Sequence, residues 1–140
     1  MRVVLDTNTV VSGLLWKGPP HVLLAKARDH RDISLYASPR LLAELADILT
    51  RKKLASAVAA STRSAEALMR LYLNVVRITE PATIASVIRA DPEDDHVLAC
   101  ALAAQADLIV SGDQHLLNLK AYQRIPILTA VEALARLLQR

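Results

Sequence analysis

The chain has 140 residues, 53% of them hydrophobic, and its 17 basic and 14 acidic side chains give a net charge of +3. This length and composition exclude a disordered chain and predict one domain over residues 1–140, while the 3% of aromatic residues argues against a protein that binds single strands by base stacking. No apolar run is long enough to cross a membrane and no signal peptide precedes the first predicted strand, so we expect a cytoplasmic protein that does not bind membranes.

The pattern of apolar residues predicts strands that alternate with helices. Residues 1–5 form a short apolar run with a β-branched centre that stops at Asp6, as in a buried parallel strand. Further strands are predicted at 33–37, 75–79, 107–111 and 125–128. Helices are predicted at 9–15, at 21–28, from Ser38-Pro39 to Leu49, at 54–74 with a restart near 61–64, at 82–89, from Asp91-Pro92 onward, at 114–119 and at 130–138. This alternation predicts an α/β fold with a mainly parallel sheet of four to five strands.

Two of these helices carry strong local signals. After Ser38-Pro39, apolar residues recur with a period of 3.6 at Leu41, Leu42, Leu45, Ile48 and Leu49. Before the last helix, Thr129 and Glu132 have the spacing of a capping box. The apolar stripe of that last helix fits a core contact or a dimer contact equally well.

Four acidic side chains are expected at one edge of the sheet. They are Asp6 after the first strand, Glu44 in the second turn of the helix after strand two, Asp95 in the first turns of the helix that Asp91-Pro92 opens, and Asp113 after the fourth strand. Helices that follow parallel strands begin on the carboxyl side of the sheet, where ligands of open α/β sheets bind. We therefore expect the four carboxylates to lie close together.

Each acid also has an ordinary structural role. Asp6, Asp91 and Asp113 could cap helices or turns, Glu44 could be a solvated charge, and Asp94 and Asp95 could favour the helix dipole. These roles do not explain convergence, because two carboxylates ~5 Å apart repel by about 3 kcal/mol at an effective dielectric near 20. An all-carboxylate cluster without His or Cys predicts a hard divalent cation, Mg²⁺ or Mn²⁺. Such an ion polarises a phosphodiester and lowers the pKa of a bound water.

Four segments occur in order over nearly the whole chain. They are Asp6-Thr7-Asn8, residues 38–45 around Glu44, residues 91–101, and residues 108–113. Together they resemble the signature motifs of PIN-domain ribonucleases, and most closely those of the VapC-like toxin components of prokaryotic toxin–antitoxin pairs. The resemblance implies Mg²⁺- or Mn²⁺-dependent hydrolysis of RNA, a Rossmann-like three-layer fold, and a homodimer that a small antitoxin protein inhibits.

The resemblance also implies roles for individual residues. The metal-binding catalytic acids would be Asp6, Glu44, Asp95 and Asp113. Asn8 and Ser111 would orient these acids, with Ser111 keeping the hydroxyl of the commoner threonine. Asp94 adds a carboxylate beside Asp95, either as a ligand through water or, as we favour, in a structural role at the helix start.

Other polar residues have weaker claims to a function. Arg51, Lys52 and Lys53 could hold the RNA backbone, although the usual role of such a run is a solvated helix end. His96 and His115 lie beside motif acids but lack the spacing of a ligand pair, so we leave them out of the site. The single cysteine, Cys100, sits in an Ala- and Leu-rich segment and is predicted to be a core residue.

Two other functions remain open from the sequence. A phosphatase of the haloacid-dehalogenase type would use Asp6 as its nucleophile, but it requires a second acid two residues later, where this chain has Asn8. A PIN fold without catalytic activity would serve as an RNA-binding module, and that interpretation would be favoured if the acids were missing. In the metal-dependent interpretation, no side chain is a convincing general base, so the metal has to activate the water.

Overall fold

The computed structural model describes residues 1–30, 32–85, 87 and 92–138. Its strands are β1 (Arg2–Leu5), β2 (Ser34–Ala37), β3 (Val76–Ile78), β4 (Leu108–Val110), β5 (Ala121–Tyr122) and β6 (Ile125–Leu128). Its α-helices are α1 (Thr7–Leu15), α2 (Pro19–Asp29), α3 (Pro39–Leu49), α4 (Ala55–Ala60), α5 (Ala65–Leu73), α6 (Pro92–Ala104), α7 (Gln114–Leu119) and α8 (Ala130–Leu138). A 3₁₀ turn, Lys52–Leu54, precedes α4. Within the described ranges, no helix is both long and apolar enough to span a membrane.

The strands form one six-stranded sheet in the order β3-β2-β1-β4-β6-β5. Every neighbouring pair is parallel except β5 and β6, which are antiparallel. Helix α6 packs against β1 and β2, and α8 packs against β4 and β6. This is the Rossmann-like α/β architecture with a mainly parallel sheet, so the predicted fold class is confirmed.

The strand order reverses between β1 and β4. From β1 the chain adds β2 and β3 on one side of the sheet, and then β4 and β6 on the other. The register places Leu5 opposite Val110, and the backbone N–H of Asp6 donates to the carbonyl of Val110 at 3.0 Å. In open α/β sheets this reversal leaves a crevice at the carboxyl ends of the two strands, where ligands bind. The residues that follow β1 and β4 therefore face that crevice.

The core lies around the two central strands and the helices that cover them. The side chains of β1 from Val3 onward and all of those of β4 are buried, as expected for parallel strands covered on both faces. In α3 the five apolar residues of the predicted stripe are all buried. Cys100 is fully buried, which confirms its prediction as a core residue, and this burial raises the pKa of its thiol to about 12.

The local signals around α3 and α8 are also confirmed. Ser38 caps α3 through a hydrogen bond from the N–H of Leu41 at 3.3 Å, with proline in the first turn. At α8, the N–H of Thr129 donates to Oε1 of Glu132 at 2.9 Å, and the N–H of Glu132 donates to Oγ1 of Thr129 at 3.2 Å. These reciprocal bonds are those of a capping box.

The structure differs from the prediction in two segments. The sheet has a sixth strand, β5, because Gln123 and Arg124 both adopt positive φ and turn the chain back onto β6. The helix predicted at 82–89 is wrong for residues 82–85 and 87, which are not helical. The backbone N–H of Ala82 instead donates to the carbonyl of Ala99 in α6. Asp91, predicted as the cap of α6, lies outside the described residues, and α6 begins at Pro92.

Candidate active site

Asp6 connects the end of β1 to the start of α1. Its backbone is extended, and Oδ1 accepts a hydrogen bond from the N–H of Thr9 at 2.8 Å, so Asp6 is the N-cap of α1. Its second oxygen, Oδ2, accepts a hydrogen bond from the hydroxyl of Ser111. The side chain is only 5% exposed. Both carboxylate oxygens of a buried acid are therefore fixed in direction.

Ser111 joins the ends of the two central strands. Its buried hydroxyl donates to Asp6, 105 positions away in sequence, and accepts from the N–H of Asp113 at 2.9 Å. Asp113 in turn caps α7, with Oδ1 accepting from the N–H groups of His115 at 2.8 Å and Leu116 at 3.3 Å. Through these hydrogen bonds Ser111 links Asp6 to the backbone of Asp113, as its predicted supporting role requires. Its part in a reaction stays a prediction.

The surroundings of Asp6 disfavour its ionised form. Burial raises the pKa of the Asp6 carboxyl above its usual value of 3.8. Hydrogen bonds from Ser111 and Thr9 lower the pKa and offset part of that rise, and the nearby charge of Asp113 raises it again. A cation beside Asp6 would favour its ionised form and relieve the repulsion from Asp113.

Four carboxylates line one small cavity at the carboxyl edge of the sheet. They are Asp6, Glu44, Asp94 and Asp113, joined in the wall by Thr7, Asn8 and Val97. Glu44 reaches the cavity from α3, where it borders the buried stripe, and Asp94 reaches it from the first turn of α6. The helix and strand ends thus bring together acids that are separated by up to 107 positions in sequence, from Asp6 to Asp113.

The structure places Asp94 in this cavity rather than Asp95. Asp94 is 9% exposed and lies one helical turn before Val97, which also lines the cavity. The carboxylate of Asp95 instead accepts a hydrogen bond from the backbone N–H of Val87 at 3.2 Å. Adjacent residues on a helix point about 100° apart, so only one of the two faces the crevice. The assignment of the metal ligand to Asp95 and of a supporting role to Asp94 stays a prediction, and the lining of the cavity favours exchanging the two.

The geometry of the cavity suits a hydrated ion better than a fully protein-bound one. Within the described ranges, no three His, Cys, Asp or Glu side chains lie close enough together to hold a metal directly. Mg²⁺ commonly keeps several of its waters and takes one or two carboxylates. The cavity volume of about 50 Å³ exceeds the ~15 Å³ that one water requires. The all-oxygen donor set therefore fits Mg²⁺ or Mn²⁺ bound partly through water.

Of the three residues predicted to bind RNA, Arg51 lies beside Glu44, whereas Lys52 and Lys53 do not. Arg51 lines a depression of about 340 Å³ whose wall includes Glu44 and Arg40, and its guanidinium pairs with Asp47 at 2.9 Å. Lys52 and Lys53 are exposed on the 3₁₀ turn and do not line that depression. Arg40 was missed in the sequence, although its position four residues before Glu44 on one helix face was a usable signal.

A family model described as the PIN domain matches residues 2–115. The matched segment contains strands β1 to β4 and all four carboxylates of the cavity. No curated protein and no solved structure matches the chain.

Proposed function

Because this chain belongs to the PIN-domain family, whose members are generally nucleases that use divalent metals, we propose that it is an endoribonuclease that hydrolyses RNA with Mg²⁺ or Mn²⁺. The observation that carries the proposal is the single cavity lined by four carboxylates from separate parts of the chain. Family membership also argues against the phosphatase alternative, which belongs to a different fold family.

We propose that the four acids that line the cavity hold the ion, one or two of them directly and the others through its waters. They are Asp6, Glu44, Asp94 and Asp113. We assign Asp94 rather than Asp95 to this set because of its position in the cavity, and we assign Asp95 to holding the backbone at Val87. Ser111, which donates to Asp6, is proposed as a positioning residue, and Asn8, which is exposed at the rim, is proposed to contact the substrate.

The chemistry divides between the ion and the chain. A bound divalent ion would supply the Lewis acid that activates water and neutralises charge on the phosphate. The chain supplies the orientation of the acids, since Ser111 and Thr9 fix the two oxygens of Asp6, and the first turn of α7 fixes one oxygen of Asp113. The depression beside Glu44 contains the guanidinium groups of Arg40 and Arg51, which can donate hydrogen bonds to a neighbouring phosphate, although Glu44 and Asp47 in the same wall balance their charge.

Cleavage of structured RNA by the purified protein tests this function. We expect cleavage with Mg²⁺ or Mn²⁺, none in EDTA, and a loss of at least about 100-fold in Asp6→Asn, beyond the 10- to 100-fold typical of residues outside the ligand shell. Asp29→Asn is the matched control, because Asp29 is exposed at the end of α2 and does not line the carboxylate cavity. Equal cleavage by wild type and Asp6→Asn would remove the metal-site proposal.

The biological setting follows from the VapC-like resemblance. We propose a cytoplasmic toxin that forms a homodimer and is inhibited by a cognate antitoxin. Expression of the chain alone should arrest growth, and co-expression of the protein encoded beside it should relieve the arrest. Light scattering of the purified chain measures its oligomeric state, and a monomer at every concentration would contradict the dimer.

A further inference from the structure

A second cavity adjoins the carboxylate cavity. The two share Asn8 and Asp113 in their walls, so a molecule in one lies directly beside the contents of the other. The second cavity lies among the first turns of α1, the residues after β4 and the start of α8, and its volume is about 320 Å³. That volume lies at the lower end of the roughly 300–1,000 Å³ of small-molecule sites.

The chemistry of the lining excludes two kinds of occupant. Among the described residues that line it, Asp113 is the only charged one and there is neither lysine nor arginine, so this lining is not suited to a phosphate. The described lining residues include no aromatic side chain, so they do not form a stacking platform. Apart from Asp113, which this cavity shares with the carboxylate cavity, the lining is neutral and partly polar.

Two side chains in this cavity have hydrogen-bonding groups available. Asn8 and Ser12 are four residues apart in α1 and therefore lie on one face of the helix. Within the described part of the chain, neither the amide of Asn8 nor the hydroxyl of Ser12 makes a hydrogen bond, whereas the hydroxyls of Ser111 and Thr129 are both engaged. Asn8 and Ser12 thus present one amide and one hydroxyl toward the same space.

We propose that this cavity binds one nucleoside of the substrate strand next to the phosphate that is cleaved, with Asn8 and Ser12 hydrogen-bonded to its base. The inference rests on the proposed function, since the phosphate has to occupy the carboxylate cavity. Unstacked bases of single-stranded RNA are recognised through hydrogen bonds to their edges. Stacking accepts every base, whereas hydrogen bonds distinguish between them. The cavity therefore gives the enzyme a preference for one base at one position.

Gly112 provides a steric probe of this cavity. A Cβ atom added at Gly112 meets nothing within 4 Å, and the φ of this residue is outside the left-handed region. At Gly13, by contrast, an added Cβ would lie 2.6 Å from Cδ1 of Leu24. Gly112→Val should therefore fold normally, while its side chain takes up space at the wall of the cavity.

The first arm of the test measures binding without cleavage. Isotope-labelled protein in EDTA is titrated with each of the four ribonucleosides, which are uncharged and not repelled by the acids. We expect one nucleoside to shift the amide signals of Asn8, Ser12 and Gly112 saturably, with at least about fivefold tighter binding than the weakest of the four. Gly112→Val should abolish these shifts while the rest of the spectrum is retained. Absence of such shifts with every nucleoside, or their persistence in Gly112→Val, overturns the proposal.

The second arm sequences the ends produced from a randomised RNA pool in Mg²⁺ or Mn²⁺. Ser12→Ala should weaken the preference at one position about five- to tenfold. Ser56→Ala is the matched control, the same change on the exposed surface of α4, and it should leave the preference unchanged. If nucleosides bind but no RNA is cut, the nuclease proposal fails and the cavity is a nucleoside site without a role in cleavage. If RNA is cut without base preference and no nucleoside binds, the cavity assignment fails and the nuclease proposal stands.

Discussion

At the scale of single residues, Asp6 combines a capping role with a buried negative charge. The cap stabilises α1 whether the side chain is Asp or Asn, because both supply an oxygen to the N–H of Thr9. The charge is a cost in the metal-free protein, since burial raises the pKa of the carboxyl. Asp6→Asn removes the charge and keeps the shape of the side chain, so this substitution separates the two roles.

We predict that Asp6→Asn raises the melting temperature of the metal-free protein by a few degrees at neutral pH. The folded carboxyl holds its proton to a higher pH than the unfolded one. The free energy of unfolding of the wild type therefore falls as pH rises from about 3.8 through the raised pKa, and stays lowered above it. The difference in melting temperature between Asp6→Asn and wild type should vanish at pH values below about 3.8, where the carboxyl is protonated in both the folded and the unfolded state.

Thermal unfolding in EDTA at several pH values measures this effect. Added Mg²⁺ or Mn²⁺ should raise the melting temperature of the wild type more than that of Asp6→Asn, because the ion binds the folded state. The exposed change Asp29→Asn should reproduce neither effect. A large loss of stability in Asp6→Asn at every pH would show instead that the hydrogen bond from Ser111, which an amide nitrogen cannot accept, outweighs the cost of the buried charge.

At the scale of elements, the rotation of α6 decides which of two adjacent acids faces the crevice. Asp94 lines the carboxylate cavity, and Asp95 accepts from the backbone of Val87. We predict that Asp94→Asn lowers metal-dependent cleavage by about 100-fold and Asp95→Asn by less than about 10-fold. Calorimetry of Mn²⁺ binding gives a readout besides activity, and the affinity should fall in the Asp94 variant. The reverse order would restore Asp95 as the ligand.

The cap of α3 fixes the helix that carries Glu44. Ser38→Ala removes the bond to the N–H of Leu41 and should lower stability by about 1 kcal/mol. We predict a loss of cleavage on the order of 10-fold as well, because the first turns of α3 position Glu44. Ser64→Ala removes an equivalent cap, to the N–H of Ala67 in α5, which carries no proposed site residue. Its stability loss should be no larger, because Ser64 is exposed and water can replace the lost bond, and its activity should be unchanged. A loss of activity equal to that of Ser38→Ala would mean that the effect of Ser38 does not depend on Glu44.

Elements with familiar local signals could be predicted from the sequence, and elements with unusual turn residues or with contacts to distant segments could not. Serine–proline at 38–39 and the Thr129–Glu132 pair act within one helical turn, so both caps were predictable. Strand β5 was missed because Gln123 and Arg124, rather than Asn-Gly, supply the positive φ angles of its turn. The helix predicted from residue 82 does not form there, because N–H groups of this segment bond to α6.

The composition of the site was more predictable than its geometry. The sequence predicted that Asp6, Glu44 and Asp113 lie near one another, because Asp6 and Asp113 follow strands and Glu44 lies in the second turn of the helix after β2. It could not separate Asp94 from Asp95, since each has apolar residues three and four positions later and therefore the same periodic environment. The phase of α6 against the sheet comes from tertiary packing alone. The bond from Ser111 to Asp6 likewise depends on the pairing of β1 with β4.

At the scale of the whole molecule, the charge is divided between a negative crevice and a basic remainder. Four of the 14 acidic side chains line the carboxylate cavity, which leaves ten acidic against 17 basic side chains elsewhere in the sequence. A basic surface attracts RNA at long range, and the acids would repel its phosphates unless a cation intervenes. Binding and cleavage should therefore respond differently to salt and to metal.

The salt dependence of RNA binding locates the basic surface that holds the phosphates. We predict that the double variant Arg51→Gln/Lys52→Gln weakens RNA binding and reduces the slope of log affinity against log salt by roughly 0.7 for each phosphate that is no longer neutralised. The control Lys26→Gln/Arg28→Gln removes the same residue types, and its arginine, like Arg51, pairs with an aspartate at 2.9 Å. The control residues lie in α2, away from the carboxylate cavity, so their removal should leave the slope nearly unchanged. Equal slopes for both double variants would mean that RNA is held by the overall charge rather than by the surface beside Glu44.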